Sequence, residues 1–118
     1  MPSRIVRRYF SKDLIILTGT ANYADAVPAK AGYTTFITKI SLSITSHVAD
    51  TYLVDDDGAG PAIAQHLDVT PQAAGVPSTV IWDFGETGTP VTAAANVDVS
   101  HSSTGVARMH IEGYYQKA

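Results

Sequence analysis

Residues 33–48 constrain the fold more than any other part of the chain. Apolar and polar side chains alternate there. The even positions are Phe36, Thr38, Ile40, Leu42, Ile44, Ser46 and Val48, and the odd positions are Thr35, Ile37, Lys39, Ser41, Ser43, Thr45 and His47. A strand turns successive side chains to opposite faces, so this pattern predicts one apolar and one polar face. The many β-branched residues also suit a pleated sheet.

This stretch is too long to run straight through an ordinary sheet. At ~3.3 Å per residue it would span about 50 Å, more than a typical strand covers. We therefore predict a bend or bulge near Thr38 or Ser46, where the apolar face becomes polar. The polar face is flat, weakly charged and rich in hydroxyls. We predict that it contacts a neighbouring subunit, through Lys39, Ser41, Ser43 and Thr45.

The rest of the chain alternates short strand candidates with turn signals. The strand candidates are residues 14–18, 51–54, 62–70, 78–84, 96–100 and 107–115, and the turns are rich in Gly, Pro and Asp. We also expect residues 102–105 to close a hairpin, with Gly105 at a positive φ. In a chain of 118 residues without a convincing amphipathic helix, this pattern predicts one all-β domain, a β-sandwich of jelly-roll type.

Charge divides the chain into two parts. Half of the eight basic residues precede the first acidic residue, Asp13. We therefore predict an extended basic arm over residues 1–12 and a sandwich domain over residues 13–118. The arm could dock onto an acidic protein surface or be a frayed terminus without a role. The docking residues would be Arg4, Ile5, Val6, Arg7, Arg8, Tyr9, Phe10 and Lys12.

Composition also bears on partners and cofactors. The chain contains no cysteine, which excludes disulfides and thiolate metal sites. No apolar run approaches the ~20 residues of a membrane helix, and no signal peptide is evident. The acidic body would oppose a nucleic-acid duplex. We therefore expect no cofactor, no nucleic acid and no membrane among the partners.

The candidate chemical sites are weak. Asp55, Asp56 and Asp57 could hold calcium, but their contiguous spacing favours a solvated turn. No two of the four histidines are spaced as a metal motif, although His101 and His110 could approach across one hairpin. Asp83 and Glu86 could do acid–base chemistry only within a shaped cleft. We expect no bound metal and no enzymatic activity.

The aromatic residues have two interpretations. Trp82 lies in an alternating apolar series, which favours packing in the core. Tyr114 and Tyr115 are adjacent and should point to opposite faces of a strand, which leaves one of them as a possible platform for a sugar.

A resemblance adds to this interpretation. Residues 78–90, STVIWDFGETGTP, and the later strands that end in Gly113-Tyr114 resemble small β-sandwich virion proteins of tailed bacteriophages, as does the stretch 33–57. The likeness lies in turn residues and strand spacing. It implies a capsid decoration protein, a jelly-roll homotrimer that binds the major capsid protein on the outer head shell after synthesis in the host cytoplasm. The alternative is a carbohydrate- or receptor-binding module of a phage tail or fibre.

Overall fold

The computed structural model describes residues 7–16, 22–46, 48–56, 62–68, 78–91 and 95–117. Three of the predicted arm residues, Arg4, Ile5 and Val6, lie outside the described residues, as do His47 and Asp57. The described strands are β1 (Arg7–Ile16), β2 (Asn22–Val27), β3 (Tyr33–Ser46), β4 (Asp50–Asp55), β5 (Ala64–Asp68), β6 (Ser78–Asp83), β7 (Thr89–Pro90), β8 (Val97–His101) and β9 (Val106–Lys117).

The strands form two antiparallel sheets. The first sheet has the order β1-β9-β3-β6, with the two-residue strand β7 also paired to β3, and the second has the order β2-β8-β4-β5. Apart from β7, the first strand therefore pairs with the last, the second with the second-to-last, and so on inward to β4 with β5. This is the connectivity of a long hairpin rolled into two sheets, which defines a jelly roll. The predicted all-β sandwich of jelly-roll type is confirmed.

The core lies between the two sheets. Its centre is formed by fully buried aliphatic residues of β3, β8 and β9: Ile37, Ile40, Leu42, Ile44, Val97, Val99, Met109 and Ile111. Trp82 of β6 is partly buried and packs against this cluster, which confirms its predicted role in the core. Burial of these side chains is the main source of stability in a domain of this size.

Strand β3 has irregularities at both predicted places. Its register with β9 shifts between Ile37 and Lys39 and again between Ile44 and Ser46. The first shift leaves Thr38 as an extra residue, so the inward positions change parity across it. Ile40, Leu42 and Ile44 face the core as predicted. Before the bulge the predicted faces are wrong, because Ile37 is fully buried and Phe36 lies on the outward side with its cross-strand neighbour Tyr114.

Strand β1 continues through the predicted boundary of the arm. All ten residues from Arg7 to Ile16 pair with β9, so there is no break at residue 12 between an arm and a domain. Phe10, Leu14 and Ile16 pack toward the core. Lys12 pairs with Ile111 at an inward position of the register, yet its side chain is exposed. This charged residue interrupts the apolar alternation of β1, so the sequence pattern did not reveal the strand. The long edge of β9 supplies backbone partners that the local sequence does not reveal.

The predicted hairpin at residues 102–105, between β8 and β9, is wrong. Strand β8 belongs to the second sheet and β9 to the first, so residues 102–105 cross between sheets. The positive-φ glycines of the described chain are Gly32, Gly85 and Gly88, so the predicted positive φ at Gly105 is also wrong. Gly105 is instead required for close packing, because a Cβ there would meet the Tyr52 hydroxyl and lie 2.7 Å from Asp50 Oδ2.

Candidate functional site: the outer face of the first sheet

The outward side of the first sheet, called here the outer face, brings together residues from both ends of the chain. Antiparallel pairing aligns β1, β9, β3 and β6 so that their outward side chains form rows across the sheet. From one end to the other, the rows are Ile15, Arg108, Ser43 and Thr79; Asp13, His110, Ser41 and Ile81; Ser11, Glu112, Lys39 and Asp83; and Tyr9, Tyr114 and Phe36.

The predicted subunit-contact residues lie together on this outer face. Lys39, Ser41 and Ser43 occupy successive outward positions of β3, and Thr45 follows them near the second register shift. The Thr45 hydroxyl donates a hydrogen bond to the carbonyl of Val106 at 3.1 Å. The shared face follows from the alternation, whereas contact with another subunit stays a prediction.

Exposed apolar side chains concentrate on the same outer face. Tyr9, Ile15 and Ile81 are 71%, 52% and 56% exposed, respectively. Among the described residues, Leu67 of the second sheet is the other large hydrophobic residue with comparable exposure, at 60%. Isolated exposed hydrophobics are ordinary, but three on one open sheet face make that face a candidate for contact with another molecule.

A histidine cluster occupies the middle of the outer face. His110 Nδ1 lies 2.8 Å from Asp13 Oδ1, and His110 Nε2 lies 3.0 Å from Ser11 Oγ and 3.2 Å from Glu112 Oε1. The hydrogen bond between Asp13 and His110 raises the pKa of the imidazole and lowers that of the carboxyl. Sequence reasoning missed this cluster because nearly a hundred residues separate Asp13 from His110, and no local motif links them.

The cluster has the order of groups found in a serine hydrolase, with a hydroxyl, an imidazole and a carboxylate in sequence. Two features distinguish it from an activated nucleophile. Glu112 shares the same imidazole nitrogen as Ser11, and the side chains project from an open strand face. Of the other acid–base candidates, Asp83 has a structural role near a turn, because its Oδ1 accepts a hydrogen bond from the Gly85 amide at 2.9 Å.

An aromatic cluster covers the end of the outer face nearest Tyr9. Tyr114 packs against Phe36 and Tyr9, with ring centroids 5.0 and 5.6 Å away, and the Arg7 guanidinium lies 4.5 Å from its centroid. Tyr114 is therefore 1% exposed although it points outward, and its hydroxyl donates to the carbonyl of Thr87 at 2.6 Å.

Beside this cluster lies an open pocket of about 420 Å³, lined by Arg7, Tyr9, Thr38, Lys39, Gly85 and Glu86. It brings together residues that the sequence analysis placed in two separate predicted sites, the arm and the subunit contact. The bulge at Thr38 and the turn at Gly85 shape its wall, because both redirect the backbone next to Lys39.

The other predicted arm residues are dispersed. Phe10 faces inward and packs 5.0 Å from the Tyr115 ring, so it is not an exposed anchor as predicted. The Arg8 guanidinium lies 5.8 Å from the Tyr33 ring, and Lys12 is exposed at the edge of the sheet. Tyr115 points away from Tyr114 as predicted, and its hydroxyl donates to the carbonyl of Pro28 at 2.9 Å.

The remaining candidate residues have mainly structural surroundings. His101 is buried and lies 3.0 Å from Asp50. It does not approach His110, because β8 and β9 belong to different sheets. Asp56 is 5% exposed rather than solvated as predicted. The described residues contain no group of three or more His, Cys, Asp or Glu side chains placed to hold a metal ion. They also include no helix long and apolar enough to cross a membrane.

Comparisons with known proteins add little to this geometry. No protein-family profile and no curated protein matches the chain. Among solved structures, the chain is similar to a protein in the cryo-EM structure of the extra small virus (XSV) virus-like particle from the giant freshwater prawn Macrobrachium rosenbergii. The TM-score is 0.43 at 10% identity, over 100% of this chain and 84% of that one. At this TM-score, nothing about the function of this chain follows from the likeness.

Proposed function

We propose that this chain is a structural virion protein that decorates and reinforces the outer head shell of a tailed bacteriophage as a homotrimer. The observation that carries the proposal is the outer face, a four-stranded surface with exposed Tyr9, Ile15 and Ile81 and a row of hydroxyls on β3. The jelly roll is also a fold that capsid proteins use, although lectins and enzymes use it too.

The size of the outer face suits this role. Four strands ~4.8 Å apart, with on average about ten residues each at ~3.3 Å, give about 600 Å². A standard protein–protein interface buries roughly 800 Å² on each partner. In a trimer on an icosahedral shell, even modest contacts would be strengthened by avidity.

The proposed contact between subunits is the end of the outer face where β3 carries Ser41, Ser43 and Thr45, called here the hydroxyl-rich end. Ser41→Arg with Ser43→Arg would place two unpaired charges there and should dissociate the oligomer, as measured by light scattering. Gln65→Arg with Leu67→Arg, on exposed positions of the second sheet, is the matched control and should leave the mass unchanged. A wild-type mass retained in the serine variant would contradict the proposed contact.

Contact with the major capsid protein is assigned to the basic N-terminus. Because β1 already begins at Arg7, removal of residues 1–6 tests this role without shortening a described strand. The truncated protein should give an unchanged circular dichroism spectrum but sediment less with expanded capsids. Undiminished saturation of the capsids would contradict a role for Arg4, Ile5 and Val6 in this contact.

The stoichiometry of the virion provides a separate test of location. Mass spectrometry of purified particles should find the chain in hundreds of copies relative to the major capsid protein. Six or twelve copies would instead place it in the tail or neck, as the alternative of a tail or fibre module requires.

We also propose that the protein is not an enzyme. The support is that Glu112 competes with Ser11 for the same nitrogen of His110. The protein should hydrolyse p-nitrophenyl acetate no faster than its Ser11→Ala variant. A clear loss of hydrolysis in that variant would contradict this.

A further inference from the structure

The pocket beside Tyr9 differs from the rest of the outer face in shape and chemistry. Its volume of about 420 Å³ lies within the roughly 300–1,000 Å³ typical of small-ligand sites, whereas the concavity at the hydroxyl-rich end, beside Ile15 and Thr45, is smaller, at about 280 Å³. Along β1, Ile15 lies six positions after Tyr9, which is about 20 Å at ~3.3 Å per step. The pocket therefore lies at the opposite end of the face from Ser43 and Thr45, and it shares Lys39 with the predicted subunit contact.

The side chains that line the pocket carry one excess positive charge. Arg7 and Lys39 line it together with a single carboxylate, Glu86. Two further carboxylates, Asp83 and Glu112, flank Lys39 across the sheet and keep their negative charges, so the positive charge of the pocket is carried mainly by Arg7. Asp83 Oδ1 accepts from the Gly85 amide at 2.9 Å, and Glu112 lies 3.2 Å from His110.

The cation at one side of the pocket is held in place. The Arg7 guanidinium stacks 4.5 Å from the centroid of Tyr114, which is itself fixed by Phe36 and by the carbonyl of Thr87. A guanidinium that is ordered before binding loses less entropy when it engages a planar carboxylate. The pocket thus presents a positioned carboxylate-binding group.

An exposed aromatic ring completes the lining. Tyr9 packs on Tyr114 at 5.6 Å, yet 71% of its surface stays accessible. The C–H face of a pyranose ring can pack on such a ring, because it is apolar and of similar size. At the same pocket, Glu86 and Thr38 Oγ1 can accept hydrogen bonds from sugar hydroxyls, since the Thr38 hydroxyl already donates to the carbonyl of Glu112 at 3.2 Å.

We propose that this pocket binds an acidic saccharide that carries one carboxylate per ring, of the hexuronic-acid type. The carboxylate would lie between Arg7 and Lys39, the ring would pack on Tyr9, and Glu86 would accept hydrogen bonds from hydroxyls. A single carboxylate can engage the Arg7 guanidinium, whereas Glu86 and the carboxylates beside Lys39 would repel a ligand of higher negative charge. Inorganic phosphate would bring a second charge toward Glu86 and would have no apolar face for Tyr9. This inference goes beyond the proposed virion role and does not depend on it.

The test is a titration of the purified full-length protein with trigalacturonate, followed by NMR and calorimetry. The matched probe is the methyl ester of the same trisaccharide, which keeps the ring skeleton and removes the charge. Inorganic phosphate is the second comparison. We expect saturable binding of the acid, at least tenfold weaker binding of the ester, and shifts of backbone amides at Arg7, Lys39 and Gly85 but not at Arg108.

Two variants probe the residues themselves. Tyr9→Ala and Lys39→Gln should each weaken binding at least tenfold while the thermal unfolding temperature stays near the wild-type value, since both side chains are on the surface. Ile81→Ala removes an exposed apolar side chain of the same face outside the pocket and should bind like the wild type. Folding of each variant is checked by circular dichroism.

The proposal is overturned if trigalacturonate does not bind at millimolar concentration, if the ester or phosphate binds as well as the acid, or if both pocket variants retain affinity. Because these measurements need neither capsids nor the trimer, their failure leaves the proposed virion role untouched. Likewise, absence from the head shell would not alter a positive titration.

Discussion

Two aspartate–histidine pairs of this protein have similar local geometry and very different surroundings. Asp50 lies 3.0 Å from His101 Nδ1, and Asp13 lies 2.8 Å from His110 Nδ1. Both side chains of the first pair are fully buried. In the second pair His110 is 31% and Asp13 64% exposed. The contrast shows how burial, rather than the pair itself, decides between a structural and a surface role.

Asp50 organises the crossing between the two sheets. Its Oδ1 accepts hydrogen bonds from the amides of Ser102 and Ser103, both at 2.8 Å, and its Oδ2 accepts one from the amide of Gly105 at 3.0 Å. Burial tends to raise the pKa of this carboxyl, but His101 and these donors outweigh it, so the pKa lies below its usual value. Asp13 lacks such a set of amide donors among its described contacts.

The largest expected effect comes from removing the buried carboxylate. Asp50→Ala should lower the free energy of unfolding by about 3 kcal/mol, because several buried donors lose their acceptor together. Urea denaturation measures this change, with Asp13→Ala as the matched surface control. A loss similar to that of the control would show that burial does not separate the two pairs.

A smaller loss is expected when the space around Asp50 is filled. Gly105→Ala should cost about 2 kcal/mol, because its Cβ would crowd the Tyr52 hydroxyl and Asp50 Oδ2. Combining Gly105→Ala with Tyr52→Phe removes the crowded hydroxyl and should recover part of the lost unfolding free energy. A double-mutant cycle detects this recovery. Additive effects of the two substitutions would contradict direct crowding.

The smallest effect is expected at the exposed pair and should appear in titration rather than in stability. NMR should find the pKa of His110 above the ordinary histidine value of 6.5, and Asp13→Asn should lower it. Because the pKa of His110 is raised, its interaction stabilises the fold fully at low pH and is lost as pH rises through that raised pKa. Because the pKa of Asp13 is lowered, its interaction is fully present above the ordinary value of about 3.8.

The contribution of the exposed pair is therefore fully present between the ordinary pKa values of aspartate and histidine, and it is lost as pH falls through the lowered aspartate pKa or rises through the raised histidine pKa. Because solvent screens it, the unfolding temperature of Asp13→Asn should stay within about 2 °C of the wild type. An unshifted His110 titration in this variant would show that Asp13 is not its main partner.

Much of the fold could be predicted from local sequence, because side-chain alternation and turn residues act over a few positions. The alternation in β3 revealed its inward residues from Ile40 onward, and the polar interruptions at Thr38 and Ser46 indicated its two irregularities. Turn signals separated the other strands well enough to indicate a sandwich. The same reasoning grouped Lys39, Ser41, Ser43 and Thr45 on one face.

The pairing of distant strands decided what the sequence left open. Nothing near Arg7 indicates that its strand continues along β9, and that pairing carries Arg7 and Tyr9 to Tyr114 and places Asp13 beside His110. The bulge at Thr38 then turned Phe36 outward against Tyr114. Alternation is a property of neighbouring residues, whereas the pocket, the histidine cluster and the buried Asp50 depend on residues some fifty to a hundred positions apart, which only the tertiary structure brings together.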